Sequence, residues 1–339
     1  MPATRIHEVT NDPDARRSFT HGENCFRAYL AGGSVRFLEE AKTSFAAALR
    51  RDDLFYLARF YLGITQTQLR ETKESIPSLL RLRESGIDFD GQVGLQLAYA
   101  HLKQYRDDGY RAADQELEAV ARGASERKHS DLYLQAQAMQ VFLYAVMAGR
   151  MQDESQRPHY ATLAVSLGEE LLKKGVRGSN ERTTNAVLFD IFNGLGIAWM
   201  RIGQFGWKGF PDRDTSFKKA EDYYQQAQAV RPNTAPVLQN LGQLREIQSE
   251  AITDLNRPEE VSKFRREARE FFERSLEIND HDQFPFFRLA KIAVKDARKA
   301  DAMALIEIGR AKPGAVSDDE WDKVRQAALK LSEERDATK

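Results

Sequence analysis

The chain has 339 residues, of which 42% are hydrophobic and 30% charged, and its 50 basic residues nearly balance 51 acidic ones. The length exceeds that of one hydrophobic core, so the chain is expected to divide into domains or to extend as a solenoid. A formal net charge of -1 excludes a global field that would attract nucleic acid or an anionic membrane. Cys25 is the only cysteine, which excludes an internal disulfide framework and favours a reducing cytoplasm.

The N-terminal residues 1–20 are polar and predict a flexible arm, with helices beginning near Asn24. No apolar run follows the first charges, as a secretory signal requires. The longest apolar-rich stretch, Ala138 to Ala148, is about half of the roughly 20 residues that a membrane span needs. We therefore expect a cytoplasmic protein that has no membrane partner.

Hydrophobic periodicity predicts an all-α chain, since no sustained period of two bounded by hairpin turns occurs. The predicted helices form about seven antiparallel pairs. They cover residues 35–50, 54–70, 72–84, 91–105, 109–122, 130–149, 157–174, 182–203, 214–230, 234–253, 258–278, 283–295, 298–310 and 317–335. The chain thus divides into divergent helical repeats over 21–180, more regular repeats over 181–312 and a terminal segment over 313–339.

One pattern recurs at a fixed distance and indicates stacked helix pairs. A stripe of small, aromatic and small residues is followed, 21 residues after its first member, by Leu and a small residue. The spacings of four and seven place each stripe on one helical face, where small residues let a neighbouring helix approach closely. The three copies are Ala41, Phe45 and Ala48 with Leu62-Gly63; Ala220, Tyr224 and Ala227 with Leu241-Gly242; and Ala268, Phe272 and Ser275 with Leu289-Ala290.

The segment 203–214 interrupts the short-turn pattern with three glycines, a proline and the aromatic residues Phe205, Trp207 and Phe210. Glycine and proline break the helix, and aromatic residues in a loop suggest partner binding. The alternative is that the three rings pack into the groove between two helices.

The last helix is expected to cap the array. Ser317 and Glu320 have the spacing of a capping box. A terminal cap needs one apolar and one polar side. The apolar edge is formed by Trp321, Val324, Ala328 and Leu331.

These residues resemble the tetratricopeptide repeat (TPR) family, most closely over 190–312. Its first-helix pattern is matched by Leu195, Gly196 and Trp199, and its second-helix pattern by Ala220, Tyr224, Ala227 and Pro232. Two spacings are longer than in the family. The distance from Leu195 to Ala220 exceeds the family spacing by 12 residues, and the distance from Leu241 to Ala268 exceeds it by 14. The resemblance implies a right-handed superhelical solenoid whose first helices line a concave groove that binds an extended peptide or a partner helix.

One subgroup of that family grips a C-terminal carboxylate with Lys, Asn and Arg on successive first helices. Here Asn240 and Arg288 match that set, whereas Ile197, Asn193 and Phe284 depart from it. The alternative to a carboxylate grip is therefore that Asn240 and Arg288 are ordinary polar residues of the groove. On helical spacing, the expected partner-binding surface comprises Asn193, Asn240, Gln243, Arg288 and Lys291, with an acidic or carboxylate-bearing protein or peptide as partner.

No motif for catalysis, phosphate binding or metal binding occurs, and the six histidines have no histidine partner one helical turn away. His21 and Cys25 are near each other, with Glu23 between them, but a solvated helix end explains such a cluster. A basic stripe of Arg288, Lys291 and Lys295 has no clear interleaving with aromatic residues, so direct nucleic-acid binding is not expected.

We therefore expect no catalytic residue, no metal site and no cofactor. The first functional hypothesis is a non-enzymatic scaffold that binds a peptide or partner helix in a concave groove. The second is a regulatory or sensor subunit that clasps a dedicated effector enzyme or a nucleic-acid complex.

Overall fold

A computed structural model describes residues 10–31, 34–252, 257–312, 314 and 316–337. Within these ranges the chain is helical and has no strand. The helices are α1 (Pro13–Leu30), α2 (Arg36–Arg51), α3 (Tyr56–Gln68), α4 (Thr72–Glu84), α5 (Gln92–Leu102), α6 (Asp107–Glu126), α7 (Ser130–Arg150), α8 (Arg157–Lys174), α9 (Glu181–Phe205), α10 (Arg213–Val230), α11 (Ala235–Ala251), α12 (Pro258–Ile278), α13 (Gln283–Lys295), α14 (Lys299–Arg310) and α15 (Asp318–Ala337). Short 3-10 turns occur at Phe89–Gly91 and Glu154–Gln156.

The helices form two compact units, one over Met1–Ile191 and the other over Phe192–Lys339. The first unit contains the pairs α1/α2, α3/α4, α5/α6 and α7/α8. The second contains the remainder of α9 with α10, then α11/α12, α13/α14 and finally α15. In each unit the helices pack mainly on neighbours in sequence order, as repeat architecture predicts. The boundary between the two units falls at residues 191/192, within α9.

The recurring stripes are buried as predicted. Their nine residues have no exposed surface. Because α10 packs on α11, the stripe at Ala220 and the following Leu241 lie on contacting helices. The predicted role of the fixed offset in stacking one pair on the next is therefore confirmed.

A second contact closes the pairs α9/α10 and α11/α12 internally, and glycine makes it possible. A Cβ atom on Gly196 of α9 would lie 2.4 Å from the Tyr224 ring of α10, and one on Gly242 of α11 would lie 2.9 Å from the Phe272 ring of α12. Such distances are below van der Waals contact, so only glycine admits the aromatic ring of the second helix at this approach.

The predicted arm over 1–20 was wrong for its last part, because α1 begins at Pro13. The Asp12 side chain accepts hydrogen bonds from the backbone N–H groups of Asp14 and Ala15, and proline is favoured at the first helical position. The Phe19 ring then packs 4.9 Å from that of Phe55. These signals precede Asn24, where the first helix was expected. Residues 1–9 lie outside the described residues.

Two other predicted boundaries shift. The loop expected over 203–214 is shorter, because α9 continues to Phe205 and α10 begins at Arg213.

The last helix begins with the predicted capping box: Glu320 N–H donates to the Ser317 hydroxyl at 3.3 Å, and Ser317 N–H donates to the Glu320 carboxylate at 3.0 Å. Trp321 is fully buried against α13 and α14.

Helix α9 is the one described helix that is long and apolar enough to cross a membrane. However, 72% of its most apolar 18-residue window is buried within the protein. Its sequence is apolar because it is a core helix.

Candidate functional site: the polar face of α9, α11 and α13

Polar residues align across the first helices of three consecutive pairs in the second unit. On α11, Asn240, Gln243 and Glu246 follow one another at intervals of three, and on α13 Arg288 and Lys291 have the same interval. This spacing keeps them on one side of each helix. We call the resulting surface the polar face. It comprises Asn193, Arg201, Asn240, Gln243, Glu246, Arg288, Lys291 and Lys295.

Direct side-chain hydrogen bonds join the three helices. Asn240 Nδ2 donates to Asn193 Oδ1 at 2.8 Å, which links α11 to α9. With the Gln243 amide oxygen turned toward the guanidinium groups, it accepts from Arg288 at 2.8 Å and from Arg201 at 3.1 Å. Gln243 thereby connects α9 to α13 through α11.

The centre of the polar face is a buried carboxylate. Glu246 is 1% exposed, and its oxygens lie 3.1 Å from Arg288 Nη1, 3.3 Å from Lys291 Nζ and 3.7 Å from Lys295 Nζ. Burial alone would raise the pKa of this carboxyl, but the three cations outweigh burial and hold its pKa below the ordinary value. Glu246 is therefore ionised at neutral pH.

The charges around Glu246 do not cancel. Arg288, Lys291 and Lys295 contribute three positive charges, while Glu246 and the neighbouring Glu250, which pairs with Lys295, contribute two negative ones. Three minus two leaves a formal surplus of +1 in this cluster. The Lys291 and Lys295 side chains are 29% and 27% exposed, so part of this charge reaches solvent.

The structure brings together the five polar residues predicted from sequence, and it changes the interpretation of two. Arg288 and Lys291 were expected to await an acidic partner, but both already pair with Glu246. The acidic residue lies 42 positions before Arg288, which is why local spacing did not reveal it. Arg201 was also missed. The sequence did contain one signal for Glu246, because Asn240, Gln243 and Glu246 follow one another on α11 at intervals of three.

The aromatic residues of the loop form another cluster. The Phe205 and Trp207 rings stack at 5.2 Å, and the Phe210 ring meets Trp199 of α9 edge-on at 6.3 Å. Lys219 Nζ lies 3.9 Å from the centroid of the Trp199 ring. Phe210 therefore packs on the helix pair, as the alternative interpretation expected, while Phe205 is 39% exposed.

Comparison with known proteins shows similarity in structure only. No family model matches the chain, and no curated protein matches it by sequence. A crystal structure of a tetratricopeptide repeat protein from Parabacteroides merdae is similar with a TM-score of 0.51 and 11% identity, covering 92% of this chain and 99% of that one.

Two further solved structures superpose less closely. A human IFIT1 dimer with m7Gppp-AAAA has a TM-score of 0.42 and 16% identity over 96% of this chain and 78% of that one. The TPR2AB domain of yeast Sti1 in complex with pHSP90 has a TM-score of 0.28 and 12% identity over 93% and 98%. The fold is that of a divergent TPR-like solenoid.

Proposed function

We propose that this protein is a non-enzymatic, cytoplasmic interaction scaffold whose polar face binds an acidic or carboxylate-bearing segment of a protein partner. TPR-like architecture is compatible with such a role, but fold alone does not assign function. The proposal is carried by one observation: three cationic side chains of α13 share one surface with polar side chains of α9 and α11, and two of these cations, Lys291 and Lys295, stay partly exposed.

The arrangement favours binding because its donors are held in place before a partner arrives. The Arg288 guanidinium is fixed by Glu246, by Gln243 and by the Phe284 ring, whose centroid is 4.9 Å away. Fixed donors lose little conformational entropy when a ligand binds. Lys291 and Lys295 add partly exposed ammonium groups, each of which carries three donors. A carboxylate-rich segment would complement this surface.

The non-enzymatic part of the proposal rests on the residue types present. The polar face carries amides, guanidinium groups, ammonium groups and a carboxylate fixed by cations, and its eight members include no serine, cysteine or histidine. Nucleophilic catalysis needs an activated nucleophile beside a base. A reducing compartment suits a chain with Cys25 as its single cysteine.

Affinity capture from native lysate, with partners quantified by mass spectrometry, tests the proposal. The bait variant Lys291→Gln/Lys295→Gln removes two accessible charges and leaves Arg288 to neutralise Glu246. The matched control, Lys263→Gln/Lys323→Gln, removes two charges elsewhere, where the side chains are 61% and 76% exposed.

We expect the first variant to retain its helicity and to capture roughly tenfold less partner, the effect of about 1.4 kcal/mol from two partly screened charges. The control should capture as much as the wild type. Equal capture by all three baits would reject the polar face as the binding surface. A nuclease-treated arm separates protein partners from nucleic-acid complexes, and one stoichiometric partner would favour a regulatory subunit over a general scaffold.

A further inference from the structure

A second cluster of functional side chains lies in the first unit, between α1 and α2. His21 and Cys25 are one helical turn apart on α1, and Glu40 extends from α2. Cys25 Sγ lies 3.8 Å from His21 Nε2 and 3.8 Å from Glu40 Oε2. One nitrogen, one sulfur and one oxygen atom all lie within 4.8 Å of one another.

These distances are close to those of a tetrahedral metal site. Zinc bond lengths of about 2.0–2.1 Å to nitrogen or oxygen and about 2.3 Å to sulfur place neighbouring ligand atoms about 3.5 Å apart. The two edges at Cys25 Sγ, both 3.8 Å, exceed this by only a few tenths of an ångström. The third edge, between the His21 nitrogen and the Glu40 oxygen, is at most 4.8 Å, so side-chain rotations that shorten it would complete three corners of the tetrahedron.

The surroundings orient the carboxylate and leave a path from solvent. Glu40 Oε1 accepts a hydrogen bond from Arg36 Nε at 2.9 Å, so the other oxygen is directed at the thiol. Support of a ligating carboxylate by an outer partner is a usual feature of metal sites. Cys25 is buried beside Phe26, whereas His21 is exposed. An ion can therefore reach the buried sulfur from the side of the imidazole.

The nearer acidic residue in sequence does not belong to this cluster. Glu23 pairs instead with Arg27, at 2.7 Å, because it projects from another side of α1. The carboxylate that completes the set comes from the next helix, 15 residues after Cys25. Sequence proximity alone could not show this arrangement.

We propose that His21, Cys25 and Glu40 form a zinc-binding site that joins the first two helices of the chain. Neutral imidazole, thiolate and carboxylate supply three ligands, and water supplies the fourth. On binding, the Cys25 thiol gives up its proton to solvent and the S–H bond is replaced by a zinc–sulfur bond. A mixed nitrogen and sulfur ligand set favours zinc over calcium or magnesium, which prefer oxygen ligands.

Metal titration of the full chain, without a polyhistidine tag, tests the site. Co²⁺ reports thiolate coordination through its sulfur-to-metal charge-transfer absorption, and calorimetry measures Zn²⁺ affinity. The variants are His21→Gln and Glu40→Gln. Their matched controls are His159→Gln, on an exposed part of α8, and Glu39→Gln, the exposed neighbour of Glu40.

We expect wild type to bind one Zn²⁺ per chain, to show the charge-transfer band with Co²⁺ and to unfold at a higher temperature when zinc is added. His21→Gln and Glu40→Gln should weaken Zn²⁺ binding by at least the roughly tenfold that loss of an outer-shell partner costs, and the controls should leave it unchanged. Since His21 and its variant are solvent-exposed, circular dichroism should remain that of wild type.

Absence of the band in wild type would overturn the proposal. Equal zinc affinity in wild type, His21→Gln and Glu40→Gln would also overturn it, because the ion would then bind elsewhere. Cys25→Ser should abolish the band and weaken Zn²⁺ binding. Undiminished Zn²⁺ affinity in that variant would exclude Cys25 as a ligand.

Discussion

The buried carboxylate of Glu246 should stabilise the second unit, and replacing it with glutamine isolates that contribution. Gln has nearly the same shape and can still accept a hydrogen bond from Arg288, but it has no charge to neutralise Arg288, Lys291 and Lys295. The substitution therefore removes the attraction between the Glu246 charge and the three cations of α13 while keeping the local volume.

The expected loss can be bounded from the contacts. Hydrogen bonds to charged groups contribute about 1.5–3 kcal/mol, and removal of one member of a fully buried ion pair costs about 3–5 kcal/mol. The three cations here are 18%, 29% and 27% exposed, so water can solvate them after the substitution. Relief from burying the charge of Glu246 offsets part of the loss. We expect the free energy of unfolding to fall by about 2 kcal/mol.

Urea unfolding followed by far-UV circular dichroism measures this change, provided that the denaturant dependence is the same for both proteins. The control is Glu250→Gln, whose carboxylate is 45% exposed and pairs with Lys295 alone among these cations. That substitution should change the free energy of unfolding by less than about 0.5 kcal/mol. Equal effects for the two substitutions would refute the assignment of Glu246 as the central charge of the polar face.

The same pair of proteins makes a prediction about pH. The folded-state pKa of Glu246 is lowered from about 4.5, so its stabilising effect is present above the unfolded-state pKa and is lost as pH falls through the folded-state pKa. The stability difference between wild type and Glu246→Gln should be full at pH 7 and should shrink below about pH 4.5. A difference that grows on acidification would contradict the sign of this shift.

Two further substitutions test the packing that builds the repeats. Gly196→Ala should lower the free energy of unfolding by about 1–3 kcal/mol, because its Cβ would lie 2.4 Å from the Tyr224 ring; Gly123→Ala, whose Cβ would find its nearest neighbour at 3.7 Å, should be neutral or slightly stabilising. Ala227→Phe should also cost about 1–3 kcal/mol, since Ala227 is fully buried, and an unchanged urea midpoint would contradict that placement.

The all-helical fold could be predicted from the sequence because its signals are local. A stripe such as Ala220, Tyr224 and Ala227 spans two helical turns, and its fixed offset to Leu241 predicts where the next helix lies in the sequence. The start of α1 was missed because a polar segment was interpreted by composition alone, although Asp12 and Pro13 are a favourable helix start.

The polar face could be predicted only in part, for a different physical reason. Helical spacing places Asn240 beside Gln243, and Arg288 beside Lys291, whatever the tertiary structure. The partner of Arg288 is Glu246 on another helix, and such pairing depends on how helices stack. The sequence therefore identified the surface but not the charge that occupies its centre.

Amine-reactive footprinting of the captured complex tests the central proposal most directly. Acetylation of Lys291 and Lys295 is measured by mass spectrometry in the free protein and in the complex, with Lys323 as an exposed reference on α15. If the polar face binds the partner, acetylation of Lys291 and Lys295 will slow in the complex while that of Lys323 stays the same. Unchanged acetylation of Lys291 and Lys295, together with protection of Lys208 in the loop after α9, would contradict the proposal and assign binding to that loop.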